Sequence, residues 1–100
     1  MPAISRLLSD LATTGHGCDT TVTISTSSDT VFANGIKVVR KGDECSPHTI
    51  PSGPSCVPHS AVINVGSATV FINGKKCARI GDSTDGGALI EGSPNVFAGG

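Results

Sequence analysis

The chain has no tryptophan and no tyrosine, and its aromatic residues are Phe32, Phe71 and Phe97 alone. A core built on large rings is excluded, so the interior has to be assembled from Val, Ile, Ala and Leu. Stacking platforms for nucleobases are missing, and no basic cluster stands out against a formal net charge of −1. Nucleic acid is thereby excluded as the main partner. No apolar run approaches the length of a membrane-spanning helix. The stretch from Met1 to Leu11 has one Arg, no sustained apolar run and no small-residue cleavage pattern, so no secretory leader is expected there. The chain is expected to be made and folded in the cytosol, unless a dedicated machine exports it.

Residues 1–100 read as a single small domain. A chain of this size buries only about 60–70% of the surface that its unfolded form exposes. With so few large apolar side chains, it is expected to need a staple: a disulfide, a metal or a partner.

What the sequence does have is repetition. The run Val31-Phe32-Ala33-Asn34-Gly35 through Arg40-Lys41-Gly42-Asp43 returns as Val70-Phe71-Ile72-Asn73-Gly74 through Arg79-Ile80-Gly81-Asp82. The front half returns again as Gly92-Ser93-Pro94-Asn95-Val96-Phe97, and a degraded tail half stands at Ile4-Ser5-Arg6-Leu7. Joined, these two partial copies make one more unit, so the expectation is pseudo-threefold symmetry in one chain. Asn34-Gly35 and Asn73-Gly74 are two-residue hairpin turns that require positive φ at both positions. Such a turn pairs Ile72 with Lys75 and Val70 with Cys77. Gly42-Asp43 and Gly81-Asp82 end the return strands, with both aspartates read most simply as turn residues. Helical periodicity is unconvincing beyond the first dozen residues, and Asp43 to His59 reads as a Ser-, Pro- and Gly-rich loop.

The chemistry-bearing residues are His16, Cys18, Cys45, His48, Cys56, His59 and Cys77. Cys45-x-x-His48 and Cys56-x-x-His59 have the spacing of tetrahedral zinc ligands. In a cytosolic setting the four cysteines read as metal ligands before disulfides. A Cys45–Cys56 disulfide is the competing reading, and Cys77, whose counterpart in the other repeat is Val38, also reads as a small buried hydrophobe. No nucleophile elbow or HExxH helix is present, so a non-enzyme is expected.

The repeated Val-Phe-x-Asn-Gly motif with its Arg-x-Gly-Asp tail, closed by Gly92-Ser93-Pro94-Asn95-Val96-Phe97-Ala98-Gly99, resembles the PAAR-repeat family of spike tips. The resemblance covers nearly the whole chain, including the opening Met1-Pro2-Ala3. It implies an all-β fold: a small pseudo-threefold cone of β-hairpin repeats with a metal near its tip. It also implies a ligand set of three His and one Cys, carried here onto His16, His48, His59 and Cys77, with Cys18 as the rival for the fourth place. Zinc is the expected metal, with iron as the alternative. Many relatives carry a Cys or His before a Gly-Gly in the last loop, whereas this chain has Asp85-Gly86-Gly87. The first unit also lacks the Arg-x-Gly-Asp tail, having Arg6-Leu7-Leu8-Ser9-Asp10.

The function that the resemblance implies is mechanical. One copy caps a trimeric β-helical spike of a contractile phage tail, at the tip of the virion tail, and touches the bacterial outer membrane as the spike passes through. Val31, Val70 and Val96 are candidates to support the docking surface. A type VI secretion needle tip that recruits effectors is the alternative within the family. A small metal-dependent hydrolase with one open metal position is the alternative from another class.

Overall fold

Asn34 and Gly35 have φ of 56° and 76°, and Asn73 and Gly74 have φ of 54° and 78°. Both turns are thus of the type whose twist matches the flanking strands. The computed structural model describes residues 1–100 and is all-β, with ten short strands paired as antiparallel hairpins and no helix. In chain order the strands are β1 (Ala12–Thr13), β2 (Thr21–Val22), β3 (Phe32–Ala33), β4 (Ile36–Lys37) and β5 (His48–Ser52). They continue as β6 (Ser55–His59), β7 (Phe71–Ile72), β8 (Lys75–Lys76), β9 (Ser83–Thr84) and β10 (Gly87–Ala88). The register pairs Ile72 with Lys75, and the Cys77 amide donates to the Val70 carbonyl at 3.0 Å, as the turn geometry requires.

The third hairpin is assembled from the two ends of the chain. Ala3 pairs with Phe97, and the Ile4 amide donates to Val96 at 3.0 Å. That bond matches Val38 to Val31 and Cys77 to Val70, each also 3.0 Å. Above the three hairpins the backbone closes a ring. Ser5 donates to Ala78 at 3.2 Å, Ala78 to Val39 at 3.1 Å, and Val39 back to Ser5 at 3.2 Å. Donors and acceptors that a lone hairpin leaves open are thereby shared among three units.

An ion pair follows each return strand. Arg40 and Arg79 present their guanidinium forks to Asp43 and Asp82, with Nε–Oδ2 distances of 2.9 and 3.0 Å. Each aspartate also accepts from its arginine's own amide, at 2.6 and 2.8 Å. The two aspartates are therefore buried ion-pair partners as well as turn residues. The first unit makes the same fork between Arg6 and Asp10 at 2.8 Å despite one extra residue in between. Leu8, with φ of 53°, stands where the other units have Gly42 and Gly81. A carboxylate that receives a bidentate arginine tolerates burial far better than a lone one.

Two apolar clusters lie on either side of the ring. Ile4, Ala33, Val38, Ile72, Cys77 and Ala98 fill the space among the hairpins, with Val31, Val70 and Val96 packed against them. Ile24, Ile63 and Leu89, all fully buried, dominate the second cluster together with Ala12, Cys45 and Val39. Only 25 of 100 residues are buried, so the core is as thin as the composition demands. The molecule is elongated, 42 × 24 × 23 Å. Beyond the second cluster, away from the Asn-Gly turns, the chain projects one longer hairpin, β5–β6, with Gly53 (φ 58°) in its turn.

That hairpin replaces the loop expected over Asp43 to His59. Pro51 and Pro58 hide it in the sequence, because proline reads as a strand breaker. In a free two-stranded ribbon both strands are edges, and a proline whose missing N–H would face solvent is tolerated there.

Candidate metal centre

His48 opens β5 and His59 closes β6, and the register places them directly opposite each other. His16 comes from the loop between β1 and β2, and Asp85 from the turn between β9 and β10, at φ of 55°. These last two segments meet backbone to backbone. A Cβ on Gly15 would collide with the Gly86 backbone, and one on Gly87 with the Thr13 backbone. The Gly86 amide donates to Thr14 at 2.8 Å. The glycines on either side thus bring His16 and Asp85 to one point.

At that point three imidazoles and one carboxylate converge. Their ligand atoms all lie within 4.8 Å of one another, forming a group that could hold a metal ion. The Nε2 atoms of His16, His48 and His59 lie 2.8, 2.9 and 3.1 Å from the Asp85 carboxylate. The rings of His16 and His48 stack with centroids 5.5 Å apart, and His59 stands edge-on to both.

The outer nitrogens decide how this group can be charged. Nδ1 of His16 lies 2.9 Å from the Gly17 carbonyl, and Nδ1 of His48 lies 2.9 Å from the Ser46 carbonyl. A carbonyl only accepts, so each Nδ1 carries the proton and a neutral ring presents a bare lone pair at Nε2. Those lone pairs point at a carboxylate that also only accepts. Without a cation the contacts require imidazolium rings crowded around a single negative charge. A divalent cation among the four ligands satisfies all of them at once. A tetrahedral zinc with ligand distances of about 2.0–2.2 Å calls for donor spacings of about 3.4 Å. The observed 2.8 to 4.8 Å brackets that spacing.

The same contacts set the proton affinities. Without the cation, burial works to raise the Asp85 carboxyl, but hydrogen bonds from protonated Nε2 atoms of His48, His59 and His16 outweigh it and hold it at about 2. The Gly17 carbonyl, opposed by burial and helped by Asp85, raises His16 above the ordinary histidine value.

The sequence reading placed His16, His48 and His59 in the ligand set, and the structure brings these three together. Cys77, expected as the fourth, lies elsewhere. It is fully buried among the hairpins with Ile4, Val38 and Ile72, and burial pushes its thiol up to about 11. A strand position facing Val70 and Ile72 points into that cluster, so Cys77 fills the role of its counterpart Val38. Cys18, the rival, is joined to Cys56 in a disulfide with Cα atoms 6.0 Å apart. Cys45 is buried beneath the site, its Sγ 3.1 Å from Thr84 Oγ1. The expectation that the four cysteines serve as ligands therefore does not match their placement. The residue that sequence reasoning passed over is Asp85. Its signal is its position before Gly86-Gly87, where the family resemblance implies a Cys or His ligand and this chain has a carboxylate instead.

A family model described as the PAAR motif matches residues 12–92. No curated protein matches the chain.

Proposed function

Because the chain belongs to the PAAR-motif family, we propose that it is the metal-braced tip of a contractile phage tail, capping its trimeric β-helical spike. The observation that carries this reading is threefold symmetry built from one chain. Three equivalent hairpins join in the closed ring of Ser5, Val39 and Ala78, and each presents one half-exposed phenyl ring. Phe32, Phe71 and Phe97 are 53, 54 and 47% exposed. One such chain can meet three identical subunits with three nearly identical surfaces. The three valines named earlier pack inward and support this surface from below.

The opposite end suits a point that has to survive force. His16, His48, His59 and Asp85 hold three separate segments together there, and zinc is the metal that this borderline donor set favours. When bound, the metal supplies a crosslink, and structural zinc in small domains contributes about 10–16 kcal/mol to folding. With all four residues bound, the metal would have the ligand set of a structural site rather than the three protein ligands of a catalytic one. In this reading the chain sits at the end of the virion tail and meets the outer membrane only while the spike passes through it.

The test is the mass of a mixture with the trimeric β-helical spike encoded nearby. One chain per trimer is the expected result. Three chains per trimer, or no complex, would overturn the capping model.

A further inference from the structure

We propose that the Cys18–Cys56 disulfide is a redox-controlled latch on the metal centre. The inference rests on the metal reading above. Cys18 lies two residues beyond His16, and Cys56 three residues before His59 along β6. The bond therefore ties together the two segments, the β1–β2 loop and the β5–β6 hairpin, that bring all three imidazoles. Other ties between them are few. Thr49 donates its amide and hydroxyl to the Asp19 carboxylate at 2.7 and 2.8 Å, and the Asp19 amide donates to the Thr49 carbonyl at 3.3 Å. No apolar cluster reaches this end, since both lie among and just above the hairpins. Residues 51–58 are all exposed, and so are 17–20. A site whose ligands sit on such segments loses its metal as fast as the segments part.

Both cysteines are exposed, so the bond is open to thiol–disulfide exchange. In the closing direction the two thiols lose two electrons and two protons as the sulfur–sulfur bond forms. A low-molecular-weight disulfide is the oxidant. One thiolate attacks it and releases the first small thiol, and the second thiolate then displaces the other. In a reducing compartment the vertex is open, and the metal enters and leaves freely. In an oxidising one the latch closes with His16 and His59 in place.

The full chain loaded with zinc tests this. Zinc release to an excess of a chromophoric chelator is timed for the oxidised protein, for the protein reduced with a phosphine, and for the Cys18→Ser/Cys56→Ser double variant. Circular dichroism is recorded alongside. We expect release to be about tenfold faster or more in the last two, the scale on which the groups that orient metal ligands act on affinity, with the β signal intact. Oxidised glutathione should restore slow release to the wild-type chain and not to the variant. Equal rates at equal zinc content would overturn the latch and leave the metal reading standing. Loss of the β signal on reduction would also overturn it, making the bond a staple of the whole fold. If the oxidised chain takes up no zinc, both readings fall.

Discussion

The amide oxygen of Asn73 and the main-chain oxygen of Gly99 fill equivalent corners of one threefold pattern. Asn73 Oδ1 accepts from Arg40 Nη1 at 3.3 Å and from Ser28 Oγ. The Gly99 carbonyl accepts from Arg79 Nη1 at 3.0 Å and from Ser67 Oγ. Asn34 Oδ1 does the same for Arg6, at 3.2 Å, and for Ser93. The asparagine of the turn thus has two tasks: it adopts positive φ, and it locks its hairpin to the arginine and serine of the neighbouring unit.

Asn73→Gly separates those tasks, since glycine keeps the turn and removes the oxygen. Loss of an acceptor for a charged donor costs about 1–3 kcal/mol. Chemical denaturation of the metal-free chain should report a loss of that size. Asn73→Val should cost more, because a β-branched residue resists φ of 54°. A neutral Asn73→Gly would show that the turn alone matters.

At the metal centre, His48→Ala and Asp85→Ala should each lower zinc content. Each should also lower Tm by roughly 10–20 °C, which is what a few kcal/mol amounts to in a domain of this size. Cys77→Ser should leave zinc content unchanged and destabilise by about 1–3 kcal/mol, the cost of placing a hydroxyl among apolar side chains. Cobalt separates the two fourth ligands directly. The wild-type cobalt complex should lack the sulfur-to-metal charge-transfer band that Asp85→Cys introduces. A band in the wild-type spectrum would return a cysteine to the site.

Asp43 governs part of the acid limb of stability. Burial acts to raise its pKa, but Arg40 and Thr26 together hold it below 3.8. The unfolded chain therefore binds this proton first as pH falls. The stabilisation is complete above 3.8 and is lost as pH drops through the lower, folded value. Metal-free protein should lose Tm steeply below about pH 4. Asp43→Asn, less stable at pH 7, should show a shallower limb. Parallel limbs for the two proteins would place the acid sensitivity elsewhere.

The three phenyl rings should matter for docking and little for folding. Phe32→Ser, Phe71→Ser and Phe97→Ser remove half-exposed side chains, and surface changes of this kind stay within about 0.5–1 kcal/mol. Binding to the spike trimer should weaken by about tenfold or more for each, as expected for aromatic anchors. Titration calorimetry reads the affinity, and a thermal melt provides the control. Unchanged affinity in all three would move the docking surface away from the hairpins.

The hairpins were legible because Asn-Gly carries its own backbone requirement, and the repeat multiplied that signal. The third unit was half legible. Arg6 was visible, but its partner Asp10 was disguised by one extra residue, which Leu8 absorbs with positive φ. The β5–β6 hairpin was hidden by its prolines, although a turn centred on Gly53-Pro54 sets His48 opposite His59. The fourth member of the candidate metal group was hidden for a chemical reason. Cysteine is the softer donor, but the fold joins two of the four in a disulfide and buries the other two. The Gly86-Gly87 that follows Asp85 marks the position, but no local pattern announces that Asp85 arrives beside His16. That meeting depends on backbone packing at Gly15, Gly86 and Gly87.

The ring of Ser5, Val39 and Ala78 bears on how quickly the chain reaches its native state. Its three members are drawn from the start, the middle and the last third of the sequence, so none of its bonds forms by closing a short loop. Two of them leave an open triangle whose ordering entropy is spent before the third returns anything. A protein bound together at such a knot has a high contact order for its length, and its folding should be slow beside that of helical domains of similar size.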